Sequence, residues 1–307
     1  MSEYEVLCVG AVNVDTIALV SRLPDVDERT VAESFVTGQG GPAATAAVAL
    51  ARLGHSVAMC ASVGADREGD LIIEGLEREG VAVDWIRRDA DVPTARSIVL
   101  VDEQTRSRAI VTSAYRSRPR DIPLGTAPIV HVDQAGYGPA SEALRAHRGR
   151  GPRLSIDGGN PLDSLDLGAA WLYAPTAAAL RDRYGDDTQR AIARARADGA
   201  QIVVTTDGSR GATWTDAATS VSAAAYRVEV VSSLGAGDVF HGALLAGILD
   251  GRGPAAALEW ANACAALSCL GLDGRSAIPT SSELDDFIRA NRPGAVSIRP
   301  TDKETTP

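Results

Sequence analysis

A glycine turn that leads into an acid is the feature of this 307-residue chain that most directly indicates chemistry. The run Gly235-Ala236-Gly237-Asp238 opens an apolar, alanine-rich segment that is typical of a helix. The first turn of a helix has free backbone N–H groups and the positive end of the helix dipole, so it can bind a phosphate. A carboxylate there suits a general base that takes a proton from a hydroxyl attacking that phosphate. The alternative is an acid that only stabilises the start of the helix.

Two further sets of residues have the spacing of a binding site. Asn13 and Asp15 follow a short apolar run and, being two residues apart, share one face of an extended chain. They suit the hydroxyl groups of a polyol, or they close an Asx turn on their own backbone. Gly40 and Gly41 form a second glycine loop ahead of a helical segment, where the backbone can approach a ligand closely. This loop lacks the glycine spacing of a dinucleotide-binding fold and the lysine of a Walker loop, which disfavours a nicotinamide dehydrogenase.

The elements that must position these residues alternate along the chain. Short β-branched segments alternate with Ala- and Leu-rich helical segments, which predicts an α/β fold with a doubly wound, mostly parallel central sheet flanked by helices. The ligand of such a sheet lies at the carboxyl ends of its strands. The predicted strands are Val6–Ala11, Ser56–Val63, Pro128–Val132, Arg153–Asp157, Trp171–Ala174 and Gln201–Thr206. The predicted helices are Ala43–Leu53, Asp70–Glu79, Pro139–Arg148, Thr176–Tyr184, Asp187–Asp198, Ala236–Asp250, Pro254–Gly271 and Ser281–Asn291.

Two regions, about 12–37 and 95–118, break this alternation with alternating polar and apolar residues. We expect them to pair as a small antiparallel β lid that excludes water from a phosphoryl-transfer site, or as an extra layer for dimer contact. Residues 1–291 are predicted to form a single domain, and the polar residues 292–307 a flexible tail.

The net charge, the hydrophobic stretches and the cysteine pattern indicate which binding partners and which cellular location to expect. The net charge of −10 argues against a nucleic-acid or membrane-surface partner. No apolar stretch is long enough to span a membrane, and the acidic start of the chain is not typical of a signal peptide. Four cysteines without a Cys-x-x-Cys pair predict buried thiols and a cytoplasmic location, and the four histidines lack the spacing of a zinc site.

Four segments, in this order and over nearly the whole chain, resemble the PfkB (ribokinase-like) family of carbohydrate kinases. They are Gly10 to Asp15, Gly40 to Gly54, Val63 to Gly69, and Gly235 to Asp238, the last being the most specific. Within that family, Gly40–Ala47, Asp238–Ala243 and Gly274–Pro279 most resemble the branch of ketohexose and sulfofructose kinases.

The resemblance implies ATP-dependent, magnesium-requiring phosphorylation of a primary hydroxyl of a sugar. Asp238 is then the general base, and the backbone amides of Gly235, Ala236 and Gly237 bind the γ-phosphate. The residues implied to bind the sugar are Asn13, Asp15, Gly40, Gly41 and Thr45. Those implied to bind ATP are Thr205, Gly208, Gly211 and Asn262. A homodimer formed through the lid is also implied.

Three departures from the family pattern stand near the phosphates and the sugar. Ser232-Ser233-Leu234 replaces the usual Asp-Thr-Thr, whose acid commonly helps to hold a monovalent cation, so we expect weak or absent potassium dependence. Thr176–Ala179 replaces the usual Asn-x-x-Glu, so no protein ligand for metal is assigned and Mg²⁺ is expected to be held by ATP phosphates and water, with Asp157 nearby. Thr45 replaces the usual Asn after the double glycine.

Two alternatives and one question of substrate remain open. A degenerate kinase could bind a sugar or nucleotide without turnover, and a nucleoside kinase could use Phe35 or Tyr115 of the lid to stack a base. Arginines in or near the lid could clamp an anionic sugar, although such residues more often lie solvated on strand faces. They are Arg29, Arg96, Arg106, Arg108, Arg116 and Arg118, of which Arg106 and Arg108 are predicted to share a face. A neutral sugar is favoured.

Overall fold

The computed structural model describes residues 2–114, 117–147, 151–185, 187–291 and the backbone of 297–300. Its strands are β1 (Val6–Val9), β2 (Asn13–Val20), β3 (Ala32–Gly40), β4 (Val57–Gly64), β5 (Ala82–Asp89), β6 (Arg96–Asp102), β7 (Arg108–Thr112), β8 (Ile129–Val132), β9 (Arg153–Gly158), β10 (Ala170–Pro175), β11 (Ile202–Thr206), β12 (Ala212–Thr215), β13 (Thr219–Ala223) and β14 (Ser297–Pro300). Its helices are α1 (Pro42–Arg52), α2 (Arg67–Arg78), α3 (Tyr137–Ala146), α4 (Ala177–Tyr184), α5 (Thr188–Ala197), α6 (Ala236–Leu249), α7 (Pro254–Ser268) and α8 (Ser281–Ala290).

The central sheet confirms the predicted doubly wound α/β architecture. Its strand order is β14-β13-β12-β11-β10-β9-β8-β1-β4-β5, and the seven strands from β11 to β5 are parallel. Along β1, Val6 and Cys8 face one hydrophobic cluster while Leu7 and Val9 face the other. Burial of both faces explains why this strand is continuously apolar. Within the described residues, no helix is long and apolar enough to cross a bilayer.

The sequence analysis missed strands at both edges of this sheet, and some predicted boundaries differ from the observed ones. The antiparallel strands β12 and β13 are short and rich in Thr and Ser, and β5 carries charged residues, so none has the apolar signature of a buried strand. β14 pairs with β13, so four residues of the predicted flexible tail are in the sheet, whereas 292–296 and 301–307 lie outside the described residues. The predicted end of the third helix at Arg148 also lies outside them.

The lid is a four-stranded sheet of order β3-β2-β6-β7. The two hairpins β2–β3 and β6–β7 are antiparallel, as predicted, and they join through a parallel pairing of β2 with β6. Ile17, Val99 and Val101 form a small hydrophobic cluster on its inner face. The lid strands flank the carboxyl edge of the central sheet because β2 follows β1 directly and β3 leads into α1.

Close packing of α1 against α6 brings the two glycine loops together. A Cβ at Gly242 of α6 would lie 2.4 Å from the Ala46 carbonyl oxygen of α1, so only glycine permits this approach. The two helices begin at Pro42 and Ala236. The N-terminal end of each helix therefore faces the same cleft.

Candidate active site

The first turn of α6 forms the centre of the site. Gly235, the residue before the helix, has a left-handed backbone with φ of 73°, and a Cβ there would lie 3.0 Å from the Gly274 Cα. A Cβ at Gly237, by contrast, would meet no described atom within 4 Å. The turn is thus packed from behind and open in front. The half-buried Asp238 carries its carboxyl on this turn. The predicted phosphate-binding amides and the predicted base are therefore adjacent at an open helix N-terminus.

Asp238 lies among other charged groups. Burial and the charge of Asp157 raise the pKa of Asp238 to about 7, and Asp133 acts in the same direction. The charges of His241 and Arg108 oppose this rise. A carboxyl with a pKa near neutrality is suited to general-base catalysis at neutral pH.

Asp133, which follows β8, is a buried carboxylate beside the cleft that the sequence reasoning missed. One carboxylate oxygen accepts hydrogen bonds from Ala11 N (2.8 Å) and Ala43 N (3.1 Å), and the other from Ala135 N (2.8 Å) and Gly136 N (3.0 Å). Burial raises its pKa to about 6 in spite of these bonds. This carboxylate ties the start of α1 to the ends of β1 and β8. Its position at the carboxyl end of a predicted strand was the available signal.

A buried histidine and a buried aspartate lie next to Asp238. His241 Nδ1 is 3.1 Å from Asp157 Oδ2, an ion-pair contact without the alignment of a hydrogen bond. Burial alone would raise the pKa of Asp157, but His241, the Gly159 N–H group and His131 together lower it. Burial alone would lower the pKa of His241, but Asp157, Asp238 and the Ala174 carbonyl together raise it. His241 was within the quoted motif, but the sequence reasoning gave it no role.

The predicted sugar-binding residues Asn13 and Asp15 lie side by side on the inner face of the lid. Asn13 Nδ2 donates hydrogen bonds to Asp15 Oδ1 and, at 3.1 Å, to Ser97 Oγ of β6. Burial raises the pKa of Asp15, although hydrogen bonds to Asp15 from Ser97 and Asn13 and the charge of Arg275 oppose the rise. A Cβ at Gly40 would lie 2.2 Å from the Asp15 carboxylate, so glycine is required there. The structure therefore unites Asn13, Asp15 and Gly40, and adds Ser97.

Gly41 and Thr45 complete the predicted sugar side, with Arg275 as an addition. Gly41 has φ of 100°, and a Cβ there would lie 2.2 Å from the Ala11 carbonyl oxygen. Buried Arg275 donates to Thr45 Oγ1 (3.2 Å) and to the Gly40 carbonyl oxygen (2.9 Å). Burial lowers the pKa of Arg275 to about 10, which leaves the side chain charged at neutral pH. Thr45 thus positions an arginine.

Arg52 at the end of α1 holds the loop that carries Arg275. Its Nη1 donates to the carbonyl oxygens of Arg275 (2.9 Å) and Ile278 (2.8 Å). Its other guanidinium nitrogens pair with Glu79 at 2.7 Å. This bidentate pair fixes the loop from outside the cleft. Neither arginine has a signal in the local sequence that links it to the glycine loop.

The predicted ATP-binding residues lie at the other end of the carboxyl edge, around β11. Gly208 and Gly211 have φ of 53° and 94° in the turn between β11 and β12, and Thr205 is buried in β11. Asn262 of α7 donates to the carbonyl oxygens of Ala223 (3.0 Å) and Ala224 (3.2 Å), so its amide supports the chain after β13.

The segment that replaces Asn-x-x-Glu is a helix start with no charge. The Thr176 hydroxyl accepts a hydrogen bond from Ala179 N at 3.1 Å and caps α4. Among the described residues, no group of three or more His, Cys, Asp or Glu side chains is placed to hold a metal ion. Asp157 is occupied by His241. The donor set thus fits Mg²⁺ only as an ion that ATP phosphates and water carry.

The lid arginines differ in what they contact. Arg108 of β7 donates from Nη1 to Ser233 Oγ at 2.8 Å, which brings the lid to the loop before Gly235. Arg96 pairs with Glu68 of α2. The prediction that Arg106 and Arg108 share a strand face was wrong. Arg106 lies in the turn before β7, where its φ is 56°. Arg29 and Arg118 are exposed, and Arg116 lies outside the described residues.

The aromatic residues of the lid do not form a base-stacking site in the described chain. Phe35 of β3 pairs in register with Ala18, whereas Ile17, on the opposite face, is in the inner cluster. Phe35 is 72% exposed. Tyr115 lies outside the described residues.

Comparisons with known proteins agree with this geometry. The model of the pfkB family of carbohydrate kinases matches residues 4–134 and 168–281. The ATP-dependent ribose-1-phosphate kinase of Halopiger xanaduensis is 30% identical, over 92% of this chain and 97% of its own. Ribokinase of Bacillus subtilis is 24% identical, over 92% and 99%. The structure of Arabidopsis thaliana ribokinase complexed with ribose and ATP has a TM-score of 0.78 at 21% identity, covering 94% of this chain and 99% of its own.

These relatives bear on the predictions in two ways. They confirm the ribokinase-like fold and a carbohydrate kinase, for which ATP and Mg²⁺ are the typical cofactors. They do not support the ketohexose and sulfofructose branch, since their names refer to ribose and ribose-1-phosphate. The matched family model covers the turn 235–238 and the residues predicted to bind the sugar and ATP. The chain therefore belongs to the pfkB family of carbohydrate kinases.

Proposed function

We propose that this kinase transfers the γ-phosphoryl group of ATP to a primary hydroxyl of a pentose. The observation that carries the proposal is Asp238, a half-buried carboxyl with a pKa of about 7 on the open first turn of α6. The sugar hydroxyl attacks in line while Asp238 takes its proton. The amides of Gly235, Ala236 and Gly237 stabilise the charge on the group in transfer.

A pentose is supported by the sugar side and by the relatives. Asn13, Asp15 and Ser97 gather an amide, a carboxylate and a hydroxyl at one place on the inner face of the lid, and such groups bind neighbouring hydroxyls of a small sugar. The relatives named for ribose and ribose-1-phosphate match nearly the whole chain. The departure of Thr45 from the family pattern is compatible with this role because its hydroxyl positions Arg275.

ATP is expected to lie along β10 and β11, with its phosphates toward the first turn of α6. Gly208 and Gly211 leave the turn after β11 without side chains, so its backbone can line the nucleotide. Mg²⁺, when bound, neutralises charge on the phosphates. Asn262 is proposed to hold the wall of this site rather than to contact adenine, because its amide is used on the backbone of 223–224.

A pentose phosphate is a second candidate acceptor. Arg108 of the lid contacts Ser233, and its charge reaches Asp238. Arg275, in the loop after α7, also has a charge interaction with Asp238. Arginines are the residues best suited to bind a phosphate through paired hydrogen bonds. The relative from Halopiger xanaduensis, named for ribose-1-phosphate, favours the same candidate.

The test is ADP release from Mg·ATP with ribose, deoxyribose, ribose-1-phosphate, ketohexoses and nucleosides, for the native chain and Asp238→Asn. Turnover of a pentose or its phosphate that is lost in Asp238→Asn supports the proposal. If the native chain prefers ribose-1-phosphate to ribose and Arg108→Ala abolishes this preference, the acceptor is a pentose phosphate. Phosphorylation of nucleosides alone supports the nucleoside kinase, and ATP binding without any turnover supports the degenerate kinase.

We also propose that the lid forms a homodimer. Its outer face carries exposed apolar side chains: Val111 (71% exposed) pairs across strands with Ile98 (56% exposed), and Phe35 (72% exposed) lies on the opposite edge strand. Large exposed apolar residues close together mark interaction surfaces. Light scattering on the native chain and on Phe35→Glu tests this proposal: a dimer that the substitution converts to a monomer supports it, and a native monomer contradicts it.

A further inference from the structure

A buried ion pair lies directly behind the proposed base. His241 follows Asp238 by three residues on α6, so both side chains lie on one face of the helix. Asp157, at the end of β9, is 3% exposed, and His241 is 5% exposed. Their Nδ1 and Oδ2 atoms are 3.1 Å apart. Neither residue belongs to the sugar contacts, the anion-binding turn or the ATP side described above.

We propose that His241, held as an imidazolium by Asp157, is a positioning residue that keeps Asp238 ionised at neutral pH. The inference rests on the proposed role of Asp238 as the base. His241 acts through charge and does not touch the reacting atoms. In this pair the imidazolium of His241 places one positive charge next to the carboxylates of Asp157 and Asp238.

The charges that face Asp238 come from every element around it. Asp157 of β9 and Asp133 after β8 are negative and raise its pKa, whereas His241 and Arg108 lower it. Arg275 also interacts with Asp238 from the loop after α7. Without the imidazolium, three carboxyl groups would share the interior of the site. Like charges at such short range cannot all stay ionised, so Asp238 would retain its proton at higher pH.

The groups that face His241 explain why it carries the charge. Asp157 and Asp238 are negative, and the Ala174 carbonyl of β10 also favours the protonated ring. The ring of His131 of β8 has its centroid 5.9 Å from that of His241. Burial and the charge of His241 lower the pKa of His131 to about 3, so this ring is neutral. Its Nδ1 contacts Ser155 Oγ at 3.0 Å. His131 is therefore a matched control: an equally buried histidine of the same cluster, without charge.

The first experiment is the pH profile of kcat/KM. His241→Asn keeps an N–H group near the position of Nδ1 and removes the charge. We expect the acid limb to move upward by at least about one pH unit, which lowers the rate at pH 7 at least about fivefold. His131→Asn should leave the limb in place. The double variant His241→Asn/Asp157→Asn removes both charges and should return the limb toward its native position.

A merely structural role of His241 predicts a different result. His241→Asn would then lower activity equally at all pH values, and Asp157→Asn would not rescue it. A limb that does not move, or a double variant worse than the single one, overturns the proposal. His241→Gln, which is also neutral, replaces the Asn variant if that variant does not fold.

A second readout does not need enzyme activity. The carboxyl carbon of Asp238 is titrated by NMR and identified by its absence in Asp238→Asn. Its midpoint should rise in His241→Asn and not in His131→Asn, and an unchanged midpoint overturns the proposal. If the midpoint rises but Asp238→Asn turns over like the native enzyme, the ion pair controls Asp238 and the proposed function of Asp238 fails.

Discussion

The proposed sugar side and the proposed phosphate side of the cleft are built in different ways. On the sugar side, Asn13, Asp15 and Ser97 hydrogen-bond to one another, and Arg275 ties the glycine loop to a segment over 200 residues away in the chain. On the phosphate side, the turn 235–237 presents backbone amides, and Thr176–Ala179 presents no charge. One side is a network of side chains, and the other is mostly backbone.

The difference assigns different kinetic roles to the two sides. A side-chain network determines which acceptor fits, because each buried polar group must be matched by the sugar. The backbone amides of a turn at a helix start bind any phosphate placed there. Their effect is greatest in the transition state, when negative charge develops on the phosphoryl group in transfer. Substitutions on the sugar side should therefore change KM for the sugar, and those at Asp238 should change kcat.

The largest expected effect is the loss of turnover when the proposed base on the phosphate side is removed. Asp238→Asn removes the base and keeps the size of the side chain, so kcat should fall by at least about a hundredfold with little change in sugar affinity. Steady-state kinetics measure the fall in kcat, and calorimetry measures the affinity for the sugar. Asp250→Asn, at the opposite end of α6, is the control and should leave kcat unchanged. Native-like turnover of Asp238→Asn would exclude it as the base.

The next effect is the pH dependence of the native enzyme. The base must be deprotonated, and the pKa of Asp238 is raised to about 7 by burial. The value of kcat/KM should thus fall about tenfold for each pH unit below about 7 and level off above it. A profile that is flat between pH 5 and 8 would contradict the raised pKa.

The same raised pKa has a consequence for stability. The folded chain binds a proton at Asp238 more tightly than the unfolded chain, so this carboxyl opposes folding as the pH rises from about 4 to about 7. Asp238→Asn lacks that charge. Its melting temperature should exceed that of the native chain by more at pH 8 than at pH 5, and an equal difference at both pH values would argue against the shift.

A smaller effect sharpens the role of the sugar side. Arg275→Gln removes the charge that faces Asp15 and weakens the hydrogen bonds to Thr45 and Gly40. We expect KM for the sugar to rise about tenfold, with a lesser change in KM for ATP. Arg289→Gln on exposed α8 is the matched control. Equal changes in both KM values would show that the two sides are not separate.

The smallest expected effect concerns potassium. The segment Ser232-Ser233-Leu234 has no carboxylate to hold a monovalent cation. Ser232 is buried, and the hydroxyl of Ser233 accepts a hydrogen bond from Arg108. Activity with and without added potassium at constant ionic strength should be nearly the same. A large rise with potassium would show that carbonyl oxygens alone can hold the ion here.

Much of the fold was predictable because its signals are local. The buried strands of the central sheet and all eight helices have periodic or continuously apolar sequences, and they were predicted within a few residues of their ends. β5, β12 and β13 were missed because strands at the exposed part of a sheet lack that signature. The predicted small antiparallel lid sheet was confirmed, but its two regions join through a parallel pairing of β2 with β6, which has no local signal.

The sequence by itself determined the motifs whose chemistry is carried by neighbouring residues. The glycine turn with Asp238, the pair Asn13 and Asp15, and the glycine loop at Gly40 each act through their own backbone or adjacent side chains. Only the tertiary structure decided which distant groups surround them. Asp133, Arg275 and the pair His241–Asp157 come from separate elements, and their effect on Asp238 depends on burial and on distances of a few ångströms. Charge interactions inside a protein act through space, so the order of residues along the chain does not reveal them.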